Sequence, residues 1–270
     1  MRPRRRDIAR GAVLLAGLPA AARAQGAPPG LDIADMTWPD LRDAVAAGKR
    51  TVIVPSGGIE QNGPHMILGK HDHIVREAAR RIAAALGDAL VVPVLPFAPQ
   101  GRIDPPEGNL RFPGTIGVTA EAFAGMLDGI ARSLRAAGFR WIFLLADNGL
   151  SQAPQAALAV RLNREWRGAG ARVVALDRYY GAIAAQDAWL RSRGETDASI
   201  GTHAGIGDTA ELMAVHPRGV DLSRLPRDLA DLPALGASGD PSRASAALGE
   251  ALLAMRVEAA IAQMRAARGA

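Results

Sequence analysis

The chain has no cysteine among its 270 residues. That excludes disulfides and thiolate metal sites, so any bound ion must be held by oxygen and nitrogen donors. A membrane-spanning run is also lacking. The stretch Gly11 to Ala22 is apolar but falls short of the roughly 20 residues that a spanning helix needs. A basic surplus is lacking too, once the N-terminus is set aside. Residues 1–24 hold six Arg and one Asp, which leaves 26 basic against 26 acidic residues in the rest. The remaining chain is neutral, so no basic excess argues for nucleic acid. No internal repeat and no second hydrophobic span appear along it.

What is present begins with a basic head at Arg4-Arg5-Arg6, the apolar run, and Ala22-Arg23-Ala24, an A-x-A cleavage pattern. These are the three parts of a secretory signal, and the Arg cluster is compatible with the twin-arginine route. The expectation is an exported, periplasmic protein with no membrane association after the signal is removed. Residues 1–24 form the signal, 25–35 a flexible lead-in, and 36–270 a single domain.

Within that domain, apolar runs alternate with helical patterns. Thr51–Pro55, Ala89–Leu95, Trp141–Ala146 and Arg172–Leu176 read as buried strands. Trp38–Ala47 reads as a short helix. Asp72–Leu86 carries Ile74, Ala78, Ile82 and Leu86 on one face and stops at Gly87. Thr119 caps a helix with Phe123, Met126, Leu127, Ile130 and Leu134 inward, ended by Gly138. Another helix starts at Ser151 and carries Leu158, Leu162 and Trp166. Further helices are expected at Tyr180–Arg193, Asp208–Ala214 and Ala244–Ala267. Continuous apolar strands between helices predict an α/β fold with a mostly parallel sheet flanked by helices on both faces. Ligands in such sheets bind beyond the carboxyl ends of the strands. The segments there are Ser56–His73, Phe97–Thr115 and Asp147–Gln152, with Tyr179 and Tyr180 after the fourth strand.

Three of the five His residues lie in Glu60-Gln-Asn62-Gly-Pro-His65-Met-Ile-Leu-Gly-Lys-His71-Asp72-His73. Carboxylates and imidazoles in one strand-to-helix loop suit an oxygen/nitrogen site for Zn, Mn or Fe, which would acidify a water and polarise a carbonyl. The same residues equally suit a hydrogen-bonded loop that packs strand against helix. A second cluster is His203-Ala-Gly-Ile-Gly-Asp208-Thr-Ala-Glu211, where Asp208 also suits a helix N-terminus. A third is Asp147-Asn148-Gly149, ordinary turn chemistry set at a strand end.

In this order the clusters resemble the creatininase (creatinine amidohydrolase) family. The resemblance rests on Glu60-Gln-Asn-Gly-Pro-His65-Met-Ile-Leu-Gly, Phe112-Pro-Gly-Thr115, Asp147-Asn-Gly149 and His203-Ala-Gly-x-x-Asp208-Thr, and runs from about Met36 to His216. It implies a three-layer α/β fold, a homo-oligomer, and a two-metal site that hydrolyses C–N bonds of small cyclic or linear amides. Carried over residue by residue, Glu60 is the first metal-binding carboxylate. Asn62 stands where the family has a ligand His. Eleven positions after Glu60, His71 stands where the family has a bridging Asp, and Asp72 follows it. Asn148 and Asn109 stand for further His, His203 for a proton-shuttling His, and Asp208 for a Glu.

The resulting expectation is a divalent metal, Zn or Mn, on Glu60, His71, Asp72 and Asp208. His203 and Asp208 would act on the proton transfers, with His65, Asn62, Asn109 and Asn148 around a small-molecule substrate. The alternative is a non-catalytic periplasmic ligand-binding protein or pseudoenzyme with a degenerate metal site.

Overall fold

The computed structural model describes residues 30–269. The expected export signal and residues 25–29 of the expected lead-in lie outside the described residues. Among those described, no helix is long and apolar enough to cross a membrane.

The sheet has four strands, β1 (Thr51–Ser56), β2 (Ala89–Val91), β3 (Trp141–Ala146) and β4 (Arg172–Ala175), in the order β2-β1-β3-β4 and all parallel. Alternation along β1 and β3 sorts side chains to two faces. Ile53, Phe143 and Leu145 enter one core layer with α2 (Lys70–Leu86), α8 (Ile206–Val215) and α9 (Ala246–Arg268). Val52, Val54, Ile142 and Leu144 enter the other, with α1 (Trp38–Ala46), α3 (Ala120–Ala136) and α4 (Gln152–Glu165). The short helices α5 (Asp177–Gly181), α6 (Ile183–Ser192) and α7 (Asp197–Ile200) link β4 to α8. The expected doubly covered parallel sheet is what forms.

Several local differences have physical reasons. β2 ends at Val91 rather than Leu95, because Pro93 offers no N–H to a ladder. The chain still tracks β1, through hydrogen bonds from Leu95 N–H to the Pro55 carbonyl and from Gly57 N–H to the Leu95 carbonyl. The expected helix Tyr180–Arg193 is two helices, α5 and α6, broken at Ala182. Met126, expected inward, is exposed.

The difference that matters most is at α2. It starts at Lys70, two residues before the expected Asp72, after Gly69, which provides no side-chain cap. Lys70 and His71 are therefore wound into the first turn and buried.

Candidate active site

β1 and β3 are adjacent in the sheet although they are not consecutive in the chain, and the loops leaving their carboxyl ends diverge there. A cleft of about 400 Å³ opens at this point. Glu60 enters from the loop after β1, Asp147 and Asn148 from the end of β3, and Lys70 and His71 from the first turn of α2. His203 and Asp208 enter from the loop before α8 and its first turn. Two roomier surface grooves, beside Trp38 and beside Trp141, are lined by no carboxylate or imidazole.

Glu60 is the hub. Its Oε1 accepts from His71 Nε2 at 2.7 Å, and its Oε2 accepts from the side-chain amides of Asn109 and Asn148, each at 3.2 Å. His71 Nδ1 bonds to Asp147 Oδ2, also at 2.7 Å. The ring is thus clasped between two carboxylates. Burial and the Lys70 charge push the imidazole down, but Glu60 and Asp147 outweigh them and raise it to about 9. With both ring nitrogens facing carboxylate oxygens, which accept, the ring donates from both as an imidazolium. Burial raises the Glu60 carboxyl, yet the His71 charge and hydrogen bond, with Lys70 and His203, bring it down to about 2.

Lys70 completes the cluster. Its side chain is 1% exposed, and Nζ lies 3.1 Å from Asp208 Oδ2 and 3.9 Å from Glu60 Oε1. Burial disfavours the ammonium, and the two carboxylates more than restore it. Asp208 Oδ2 also accepts from the Ala204 backbone N–H at 2.8 Å. Burial works against the Asp208 charge, but Lys70, His203 and His71 hold its carboxyl well below the usual range.

His203 is the most accessible imidazole here, with 28% of its side chain exposed. Its Nε2 lies 2.9 Å from the Gln61 carbonyl, which can only accept, so Nε2 carries the proton. In the neutral ring the lone pair therefore sits on Nδ1, which lies 3.9 Å from Glu60 Oε1. Ala204, next in the chain, has φ +53°, a left-handed conformation uncommon for Ala.

Behind Asp147 lies a second buried network. Arg256 of α9 bonds through Nη1 to Glu211 Oε2 at 2.7 Å and through Nη2 to Asp147 Oδ1, and it stacks 4.1 Å above the Tyr179 ring. The Tyr179 hydroxyl donates to Asp147 at 3.0 Å, and Gln186 donates to Glu211 at 2.7 Å. This network fixes the carboxylate that orients His71.

Three of the expected site residues are not brought to the cleft. Asp72, assigned to the metal, lies behind the β1 loop, where its Oδ1 accepts from the Gly58 backbone N–H at 3.1 Å. Its carboxyl is raised, mainly by burial. Asn62, assigned to substrate, is fully buried and donates to the Glu60 and Ile67 carbonyls at 2.9 and 3.0 Å. It staples its own loop. His65, also assigned to substrate, is buried with Nε2 3.0 Å from the Thr209 hydroxyl, joining the loop to α8. Glu60, His71, Asn109, Asn148, His203 and Asp208 do converge.

Lys70 and Arg256 were not singled out from the sequence, and each left a signal. Lys70 sits inside the Glu60–His73 string, directly after Gly69. Arg256 shares the buried face of α9 with Leu252, Leu253, Val257 and Ala260, so a charge stands in a core stripe.

Residues 34–264 match the model of the Creatininase family, described as creatinine amidohydrolase. The chain belongs to the creatininase family. It is 28% identical over 249 residues to creatinine amidohydrolase of Pseudomonas putida, covering 84% of this chain and 93% of that protein. It is also 28% identical over 221 residues to mycofactocin precursor peptide peptidase of Mycolicibacterium smegmatis, covering 76% and 81%. A creatininase in its manganese form superposes with a TM-score of 0.73 at 27% identity, covering 88% of this chain and 98% of the other. A mutant creatininase of Zn-Zn type gives 0.71 at 26%, with the same coverage. These creatininase relatives support hydrolysis of an amide bond.

Divalent ions therefore belong to the family, and the donors of this member can be tested against one. Among the described residues, no three His, Asp or Glu side chains form a group able to hold an ion. Both ring nitrogens of His71 are taken by carboxylates, and Glu60 already accepts from His71 and two amides. Lys70 ammonium stands against the remaining carboxylate, Asp208. The donor set does not fit the expected Zn or Mn site.

Proposed function

We propose that this creatininase-family chain hydrolyses a C–N bond in a small amide, cyclic or linear, bound in the cleft between the β1 and β3 loops. The observation that carries the reading is the placement of His203, whose Nε2 bond to the Gln61 carbonyl leaves Nδ1 in the cleft, 3.9 Å from Glu60 Oε1. A water on that nitrogen loses its proton to His203 as it attacks the amide carbonyl. The Glu60 carboxylate stabilises the imidazolium that forms, and His203 then passes the proton to the leaving nitrogen. Asn109 and Asn148 each have an amide hydrogen beyond the one bonded to Glu60, available to a substrate oxygen. The cleft volume suits a metabolite-sized ligand.

The test is turnover on a panel of cyclic ureides, lactams, creatinine and short linear peptides. His203→Gln should lower kcat by about 10²- to 10⁴-fold on any substrate found. Binding without turnover across the panel, or a His203→Gln variant as active as the native chain, overturns the proposal. Export belongs to the same reading, and it rests on the N-terminal signal pattern alone. Fusing residues 1–35 to a reporter active only outside the cytoplasm tests it.

A further inference from the structure

We infer that Lys70 and His71 are the resident cations of this site, and that they hold its carboxylates in place where a divalent ion would otherwise be needed. Four observations converge on this. Lys70 Nζ is buried between Asp208 and Glu60, at 3.1 and 3.9 Å. His71 bridges Glu60 and Asp147 through both ring nitrogens. The second oxygen of Glu60 is already occupied by Asn109 and Asn148. Asp72, the acid adjacent to His71, is spent on the Gly58 backbone and offers no replacement ligand.

The physical reason is charge and space together. Buried carboxylates need a countercharge, because an unpaired one is costly in a poorly solvated interior. A metal supplies two charges at about 2.0–2.2 Å from each oxygen. Here two consecutive side chains from the first turn of α2 supply one charge each, Lys70 through ion pairs and His71 through hydrogen bonds. An ion bonded to Asp208 or Glu60 would lie beside the ammonium, with like-charge repulsion, and among the described residues no three His, Asp or Glu side chains are grouped to offset it. Lys70 and His71 are positioning residues. They orient Glu60 and Asp208 for the groups that meet substrate.

This inference concerns the cleft of the proposed hydrolase but is read by metal content, so loss of either reading is distinguishable from loss of the other. The full chain is purified from an exporting host and analysed by elemental analysis. It is then titrated with Zn²⁺ and with Mn²⁺ alone, following heat of binding and melting temperature. The expected result is less than a tenth of an equivalent of any transition metal and no melting-temperature response to either ion. A Lys70→Gln/His71→Asp double variant removes both cations and adds an acid. It should gain about one equivalent of Zn²⁺ or Mn²⁺ and be stabilised by it. A native chain that carries or takes up stoichiometric Zn²⁺ or Mn²⁺ in the cleft overturns the inference, whether or not the double variant folds. A folded double variant that still ignores both ions overturns it as well.

Discussion

Replacing Arg256 by Met tests the architecture behind the site. The guanidinium bonds to Glu211 and Asp147 and lies over Tyr179, with its side chain only 4% exposed. Met fills much of the same volume but leaves two buried carboxylates without their shared partner. Breaking a buried pair by removing one side costs about 3–5 kcal/mol. In a domain of this size each kcal/mol lowers Tm by roughly 2–4 °C, so the variant should melt about 6–20 °C below the native chain at neutral pH. The loss should also depend on pH. Burial already raises the Glu211 carboxyl, with Arg256 opposing, and removing Arg256 raises it further. A folded-state pKa above the unfolded value means stability that is present at low pH and lost as pH rises through the folded value. The variant's deficit should therefore be larger at pH about 8 than at about 5. Urea unfolding at both values reads it, and adding Glu211→Gln should recover part of the deficit. A loss below about 1 kcal/mol at the higher pH, or a deficit that grows on acidification, refutes the reasoning.

Further outcomes are expected elsewhere. The His65 imidazole is pushed down to about 4, chiefly by burial. With its folded pKa depressed, the stability it confers is present above the unfolded value near 6.5 and lost as pH falls toward 4, on the order of 3 kcal/mol at full protonation. His65→Gln should flatten that acid branch of the stability curve, and an unchanged branch would contradict it. A Cβ on Gly57 would overlap Asp72 Oδ1 and lie 2.8 Å from the Asp72 backbone nitrogen, so Gly57→Ala should cost about 1–3 kcal/mol in denaturant unfolding. Asp72→Ala leaves the Gly58 N–H unpaired and should cost about 1–3 kcal/mol while leaving turnover intact. A collapse of turnover in a folded Asp72→Ala protein would return Asp72 to the cleft.

Much of the molecule follows from pattern alone. The alternation of continuous apolar strands with amphipathic helices determines the doubly covered parallel sheet, because each element must bury its apolar side. It also locates the cleft, since the polar loops all leave the carboxyl ends of the strands. The strings around Glu60 and His203 are specific enough to show the family resemblance. Pattern could not say which polar side chains of those strings face one another. A helix start two residues early turned Lys70 and His71 inward and sent Asp72 to the Gly58 backbone. Asn62 and His65 were drawn into loop hydrogen bonds. Arg256 reaches Asp147 across 109 positions of sequence. Local propensity and hydrophobic period act over a few residues and determine elements and faces. Pairing among buried charges depends on which side chains the finished packing brings within about 3 Å, where desolvation makes each partner obligatory. Only the tertiary structure decided that these carboxylates are held by an ammonium and an imidazolium.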